Sequence, residues 1–282
     1  MARGPQLKAL ALIPAFALAA GVLAGCGGDS GSTTTSSGVQ LIAAGKLTTC
    51  THLPYQPFQV KQGDKIVGFD VDLVDLVAKK LGVEQSIVDI AFENIESGEA
   101  MNSGQCDLAA AGMTITDKRK AKFDFSDPYF EATQALLVKA GSSIKDFSNV
   151  TGKKIGVQSA TTGADYAKEH AKGAEIVTFD DLALEEQAVK NGTVDAGVND
   201  NGVLYDFVKT NPDTAVATEF KTNEFYGIGI KQGNTALVTA TNDALKASVA
   251  DGTYAQIYQK WFGKAPTWLP GGSTTAPTAT SK

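Results

Sequence analysis

Residues 104–112, GQCDLAAAG, and residues 192–200, GTVDAGVND, are two copies of one pattern: a glycine, two residues, an aspartate, then a run of small or apolar side chains. Each copy follows a helical stretch and opens a strand. Counting five residues past each aspartate reaches Gly112 in one copy and Asp200 in the other. Both positions therefore fall at the carboxyl end of a strand, the edge at which open α/β sheets bind ligands. The rest of the chain alternates apolar, β-rich runs with amphipathic helical patterns, which argues for parallel sheets covered by helices. The expected fold class is α/β, with two similar lobes facing each other across a cleft.

The helical pattern is clearest from Phe69 to Gly82. Asp70 is placed to cap, Asp72 sits in the first turn, Leu73, Leu76, Val77 and Leu81 give one apolar face, and Lys79 and Lys80 close the last turn before Gly82. Local and global signals agree there, so both aspartates read as structural.

The segment AAAGMTITDKRKAKFDFSDPY, residues 109–129, carries a contradiction. A small-residue strand ends at Gly112, Thr116 is an N-cap candidate, and Arg119 then occupies the third helical position, where a capping box would place Glu or Gln. A helix N-terminus bears about half a positive charge, so a cation in the first turn is locally unfavourable. An anion held between the guanidinium and the free backbone N–H groups would resolve the conflict, a solvated arginine in the run DKRK being the alternative. Asp200, in VNDNG ahead of the helical run VLYDFVK, reads both as an N-cap and as an acidic site. A basic site on one lobe facing an acidic site on the other suits a zwitterion such as a free amino acid.

The first 25 of the 282 residues read as a secretory signal, with Arg3 and Lys8 ahead of ALALIPAFALAAGVL, a run too short and proline-broken to span a membrane. Leu23-Ala24-Gly25-Cys26 has the form of a bacterial lipobox, which makes Cys26 the expected acylation site and a lipid anchor. GGDSGSTTTSSG behind it is a Gly/Ser/Thr tether, and PGGSTTAPTATSK from Pro270 is a second polar tail. Removing Arg3 and Lys8 leaves 23 basic residues against 31 acidic, a formal charge of −8, which makes nucleic acid an unsuitable partner. Cys50 and Cys106 are an even pair for an oxidising compartment and read as a disulfide, with two buried thiols the alternative. His52, His170 and these cysteines show no structural-zinc spacing, so no metal and no cofactor is expected.

On these residues the chain resembles the solute-binding proteins of bacterial amino-acid ABC importers, the polar amino acid type related to glutamine- and lysine/arginine/ornithine-binding proteins. GFDVDLVDLVAKKL (68–81), AGMTITDKR (111–119) and FSDPY (125–129) carry the match, which covers about residues 45–263. The resemblance implies a two-lobed, type II periplasmic-binding-protein fold of two mixed sheets flanked by helices, joined by strands crossing near Thr133–Leu136 and Glu224–Tyr226. Lobe 1 is expected at 39–134 plus 226–265 and lobe 2 at 135–225. A tether at 26–38 and a disordered tail at 266–282 complete the expected organisation.

The resemblance also implies the site. Gly112, Thr114 and Arg119 would meet the ligand carboxylate from one side. Thr162, in IGVQSATTGADY, would meet it from the other, and Asp200 would take the ammonium group. Tyr55, in CTHLPYQPF, and Phe92 match positions whose rings sandwich the ligand side chain, with Gln158 as a further contact. His52 is a departure: it stands where glutamine- and lysine-type relatives carry an aspartate. Without that carboxylate a cationic ligand loses its counter-ion, which tilts the expectation towards glutamate or glutamine and away from lysine or arginine. As a structural alternative, His52 merely caps the strand end. The implied mechanism is capture with hinge closure by a lipid-anchored, extracytoplasmic monomer, then delivery to a membrane permease and its ATPase. Two alternatives are an amino-acid sensor for a membrane receptor and a dehydratase-like enzyme on the same scaffold.

Overall fold

In the computed structural model, residues 32–272 are described, together with residues 1, 2 and 4. Cys26, most of the expected signal segment, the start of the tether and the chain beyond residue 272 lie outside the described residues. Among the described residues no helix is long and apolar enough to cross a membrane.

The chain opens with β1 (Thr33–Thr34) antiparallel to β2 (Gln40–Leu41). The second half of the expected tether is therefore tied to the body, with Val39 and Leu41 buried in the main core. Next come β3 (Lys46–Thr51), the hairpin β4 (Val60–Gln62) and β5 (Lys65–Val67), α1 (Phe69–Leu81) and β6 (Glu84–Asp89). Two short helices, α2 (Phe92–Glu96) and α3 (Glu99–Asn102), lead to β7 (Leu108–Ala109), α4 (Asp117–Lys120) and β8 (Asp124–Phe125). The long strand β9 (Phe130–Lys139) leads to the second half: β10 (Lys154–Gln158), α5 (Thr162–His170), β11 (Glu175–Phe179), α6 (Leu182–Asn191), β12 (Ala196–Asp200) and α7 (Asn201–Thr210). The return strand β13 (Thr214–Tyr226) leads to β14 (Gly229–Ile230), α8 (Thr235–Ala250) and α9 (Thr253–Phe262).

Two five-stranded sheets result, in the orders β6-β3-β7-β14-β8 and β11-β10-β12-β9-β13. In each, the first three strands are parallel and the last two pair antiparallel. The repeated motif explains the likeness. The Asp107 N–H donates to the Thr48 carbonyl at 2.9 Å and its carboxylate accepts the Thr48 N–H at 2.8 Å. Asp195 does the same to Lys154, at 2.8 Å for both bonds. Each aspartate pins the start of the neighbouring parallel strand, where backbone groups would otherwise lack partners.

Helix α1 follows its sequence pattern on the buried side, where Leu73, Val74, Val77 and Leu81 enter the core. Burying each such side chain contributes about 1.5–3 kcal/mol. Gly82 ends the helix in the left-handed region at φ 70°. The expected cap is different. Gly68, not Asp70, precedes the helix, without a side-chain cap, because a Cβ there would stand 1.9 Å from the Phe58 carbonyl oxygen. Asp72 is structural: its Oδ2 accepts from Lys260 Nζ and Trp261 Nε1, both at 2.7 Å, which fastens α1 to α9.

The tail expected from residue 266 also needs correction. Leu269 is 1 % exposed, and the Trp268 ring packs 5.5 Å from that of Phe225. Trp268 and Leu269 are apolar side chains that precede the polar Gly/Thr/Pro stretch from Pro270 and pack onto the body.

Strands β9 and β13 run side by side from one sheet towards the other, and their register breaks between Phe220 and Glu224. Side chains fill the gap: the Gln134 N–H donates to Thr222 Oγ1 and the Thr222 N–H to Thr133 Oγ1, both at 3.1 Å. This irregular crossing brings Gln134, Glu224 and Tyr226 to the same place. Cys50 on β3 and Cys106 before β7 are joined as a disulfide, Cα atoms 5.7 Å apart.

Candidate functional site

The nine residues singled out in the sequence, His52, Tyr55, Phe92, Gly112, Thr114, Arg119, Gln158, Thr162 and Asp200, line one cleft. It encloses about 320 Å³ of empty space, open mouth included, and Gln59, Ala111 and Thr161 complete its wall. Strand ends supply most of it: His52 follows β3, Gly112 and Thr114 follow β7, Gln158 ends β10 and Asp200 ends β12.

Arg119 is the third residue of α4, whose N-cap Thr116 accepts the Arg119 N–H at 3.2 Å. Its side chain is only 3 % exposed. Nη1 donates to the Thr114 carbonyl at 2.8 Å, Nη2 to the Ala160 carbonyl of the other half at 3.0 Å, and the guanidinium carbon lies 5.5 Å from the centre of the Phe92 ring. Burial pulls its pKa down, while the carboxylates of Glu96, Asp200, Glu224 and Asp165 act to hold the charge.

Asp200 stands at the position of an N-cap, yet its side chain makes no capping bond. The capping reading of its carboxylate is therefore replaced by another. Oδ2 accepts from the hydroxyls of Tyr55, at 2.8 Å, and Tyr226, and Oδ1 accepts from Gln134 Nε2. Burial, reinforced by the nearby Glu224, pushes its pKa up to about 7 against the pull of those three hydrogen bonds. Such a carboxyl gains from a cation arriving beside it.

Tyr55 spans the cleft, its hydroxyl 2.9 Å from Asn199 Oδ1 as well as reaching Asp200. The approach of its ring requires Gly112: a Cβ there would lie 2.6 Å from Tyr55 Cε1, and φ is +55°. The Gly112 loop is held from behind by Asp70, whose carboxylate accepts the Gly112 N–H and the Tyr129 hydroxyl, both at 2.8 Å. Burial drives the Asp70 pKa up to about 7, opposed by those two bonds.

Thr162 is the first residue of α5, beside the cap Thr161, which accepts the Ala164 N–H at 3.0 Å. Its hydroxyl and that of Thr114 both donate to Glu224 Oε2, at 2.8 and 2.9 Å. His52 places Nδ1 2.9 Å from the Ile90 carbonyl, in the loop after β6, so it ties two loops together rather than capping its own strand.

Sequence reasoning missed Gln59, Gln134, Glu224 and Tyr226. Gln134 left a signal, a polar residue inside the apolar strand FEATQALLVK. Glu224 and Tyr226 left another, since alternate residues of the crossing strand share a face.

Residues 47–264 match the family of bacterial extracellular solute-binding proteins, family 3. The chain is 35 % identical over 274 residues to the ABC transporter glutamine-binding protein GlnH of Bacillus subtilis, covering 93 % of this chain and 98 % of that one. It is 32 % identical over 226 residues to ABC transporter arginine-binding protein 1 of Escherichia coli, covering 78 % and 92 %. A solved structure of an ancestral arginine-binding protein bound to arginine superposes with TM-score 0.74 at 44 % identity, covering 78 % of this chain and 99 % of that one. With family-wide coverage and the same two-sheet fold, this chain belongs to family 3 of the bacterial extracellular solute-binding proteins.

Proposed function

We propose that this protein captures a free polar amino acid in the cleft between its two sheets and delivers it to the permease and ATPase of an ABC importer, without chemical turnover. One observation carries the reading: a buried arginine and a buried aspartate line the same cleft from opposite halves of the chain. Arg119, with Thr114, Gly112 and Thr162, would take the α-carboxylate, and Asp200 the ammonium. Tyr55 and Phe92 would flank the side chain, with Gln158 beyond. Histidine rather than a carboxylate at position 52 favours glutamine or glutamate over lysine or arginine.

Lobes at 39–134 plus 226–265 and at 135–225 would close about the crossing strands. Only contacts made selectively in the closed form drive closure. A micromolar dissociation constant corresponds to about −8.2 kcal/mol. Two charge-assisted sites at about 1.5–3 kcal/mol each supply a large part of that. Acylated Cys26 would hold a monomer at the outer face of the cell membrane.

A thermal-shift screen tests this. The full-length chain, unfolded and refolded to strip carried-over ligand, is heated with each of the common amino acids, ornithine, citrulline and cystine. At a concentration of about 100 times the dissociation constant, a ligand adds about 2.7 kcal/mol, a rise of several degrees. Stabilisation by one or a few amino acids is expected, and no response to any would remove the proposal.

A further inference from the structure

We propose that His52 and Gln59 form a pair of hydrogen-bond acceptors that selects a ligand side chain ending in N–H donors, so that the cleft ranks glutamine above glutamate. This rests on the amino-acid-binding reading above and sharpens it.

Among the described residues, two buried polar atoms of cleft-lining side chains have no hydrogen-bond partner: His52 Nε2 and Gln59 Oε1. In each case a backbone carbonyl fixes what the free atom can do. His52 Nδ1 faces the Ile90 carbonyl at 2.9 Å. A carbonyl only accepts, so Nδ1 carries the proton, and in the neutral ring Nε2 is left with a lone pair. Gln59 Nε2 donates to the His52 carbonyl at 3.3 Å. Turning that amide round would set oxygen against oxygen, so the free Oε1 is an acceptor as well.

The His52 backbone thus orients Gln59, and both residues line the same cleft. An acceptor buried without a donor carries a desolvation penalty that water no longer offsets. A ligand amide brings two N–H donors to that wall. A carboxylate brings only lone pairs and negative charge, which leaves both penalties in place and adds repulsion. A guanidinium also brings donors, but its charge finds no carboxylate at position 52. Sites built to pair a particular hydrogen-bonding group reject the isostere lacking it far more strongly than apolar pockets reject a change of size.

Calorimetric titration of the refolded full-length protein with the amino-acid panel decides the matter, glutamine and glutamate being the matched pair. Glutamine is expected to bind at least about tenfold more tightly than glutamate, and the tightest ligand of the panel should end in two or more N–H donors. His52→Phe and Gln59→Met should each bring the glutamine-to-glutamate ratio towards one. A tightest ligand ending in a carboxylate or a hydrocarbon, or glutamate matching glutamine, overturns the acceptor pair while leaving amino-acid binding intact. Unchanged ratios in both folded variants overturn it too. If a variant fails to fold, the wild-type ranking alone decides. Binding of no amino acid at all would instead remove the functional proposal beneath it.

Discussion

The two copies of the internal motif begin alike and end differently. Asp107 and Asp195 hold Thr48 and Lys154, near the starts of the neighbouring strands, through the same pair of backbone bonds. Five residues on, one copy ends in Gly112, whose missing side chain admits the Tyr55 ring, and the other in Asp200, whose carboxylate meets that ring's hydroxyl. What is repeated builds the sheets, and what has diverged lies on the cleft.

Altering the divergent ends should have the largest effect on binding. Asp200→Asn keeps the shape of the side chain and removes its charge. With Arg119→Ala, it should weaken binding of the preferred amino acid by about ten- to a hundredfold by calorimetry. The unfolding midpoint without ligand should change little for Asp200→Asn. Gly112→Ala should also weaken binding, because the new methyl and the Tyr55 ring compete for one space.

The repeated starts should respond in a different currency. Asp107→Ala leaves the N–H groups of Ile42 and Thr48 without their acceptor and should cost about 1–3 kcal/mol in denaturant unfolding, whereas Asp195→Ala frees only the exposed Lys154 N–H, which water can take, and should cost less. Equal losses at both positions would show that burial does not set the strength of the two braces.

A smaller effect separates Asp200 from Asp70, two buried carboxyls both held near 7. In both, the folded pKa lies above the ordinary aspartate value of 3.8. Their contribution to stability is therefore present at low pH and fades as pH rises from about 4 to about 7. In the proposed clamp only Asp200, which lines the cleft, meets a ligand ammonium, and that contact would lower its pKa. Binding should release a fraction of a proton near pH 7, visible as a dependence of the calorimetric heat on buffer ionisation enthalpy. Asp200→Asn should abolish that dependence, and Asp70→Asn should keep it.

The parts legible in the sequence were those encoded locally. The Thr116 cap with Arg119 at the third helical position, the α1 stripe ending at Gly82, and the strand end at Asp200 all follow from short-range rules, and the structure has them. What escaped depends on partners far along the chain. Asp70 looked like a cap because its true partners, Gly112 and Tyr129, lie 42 and 59 residues away. Glu224 was missed for the same reason: its contacts to Thr114 and Thr162 span 110 and 62 residues. At His52 the sequence left the imidazole free to serve an amide or a carboxylate, and only the Ile90 carbonyl assigns its proton.

In the proposed clamp one ligand is held at both ends, its carboxylate by Arg119 and its ammonium by Asp200. The direct test takes the amino acid that binds best and titrates it beside two analogues, its α-amide, which lacks the carboxylate, and its deaminated acid, which lacks the ammonium. Each analogue is expected to lose at least about tenfold in affinity. Affinity equal to the parent amino acid for either one would contradict the two-ended clamp.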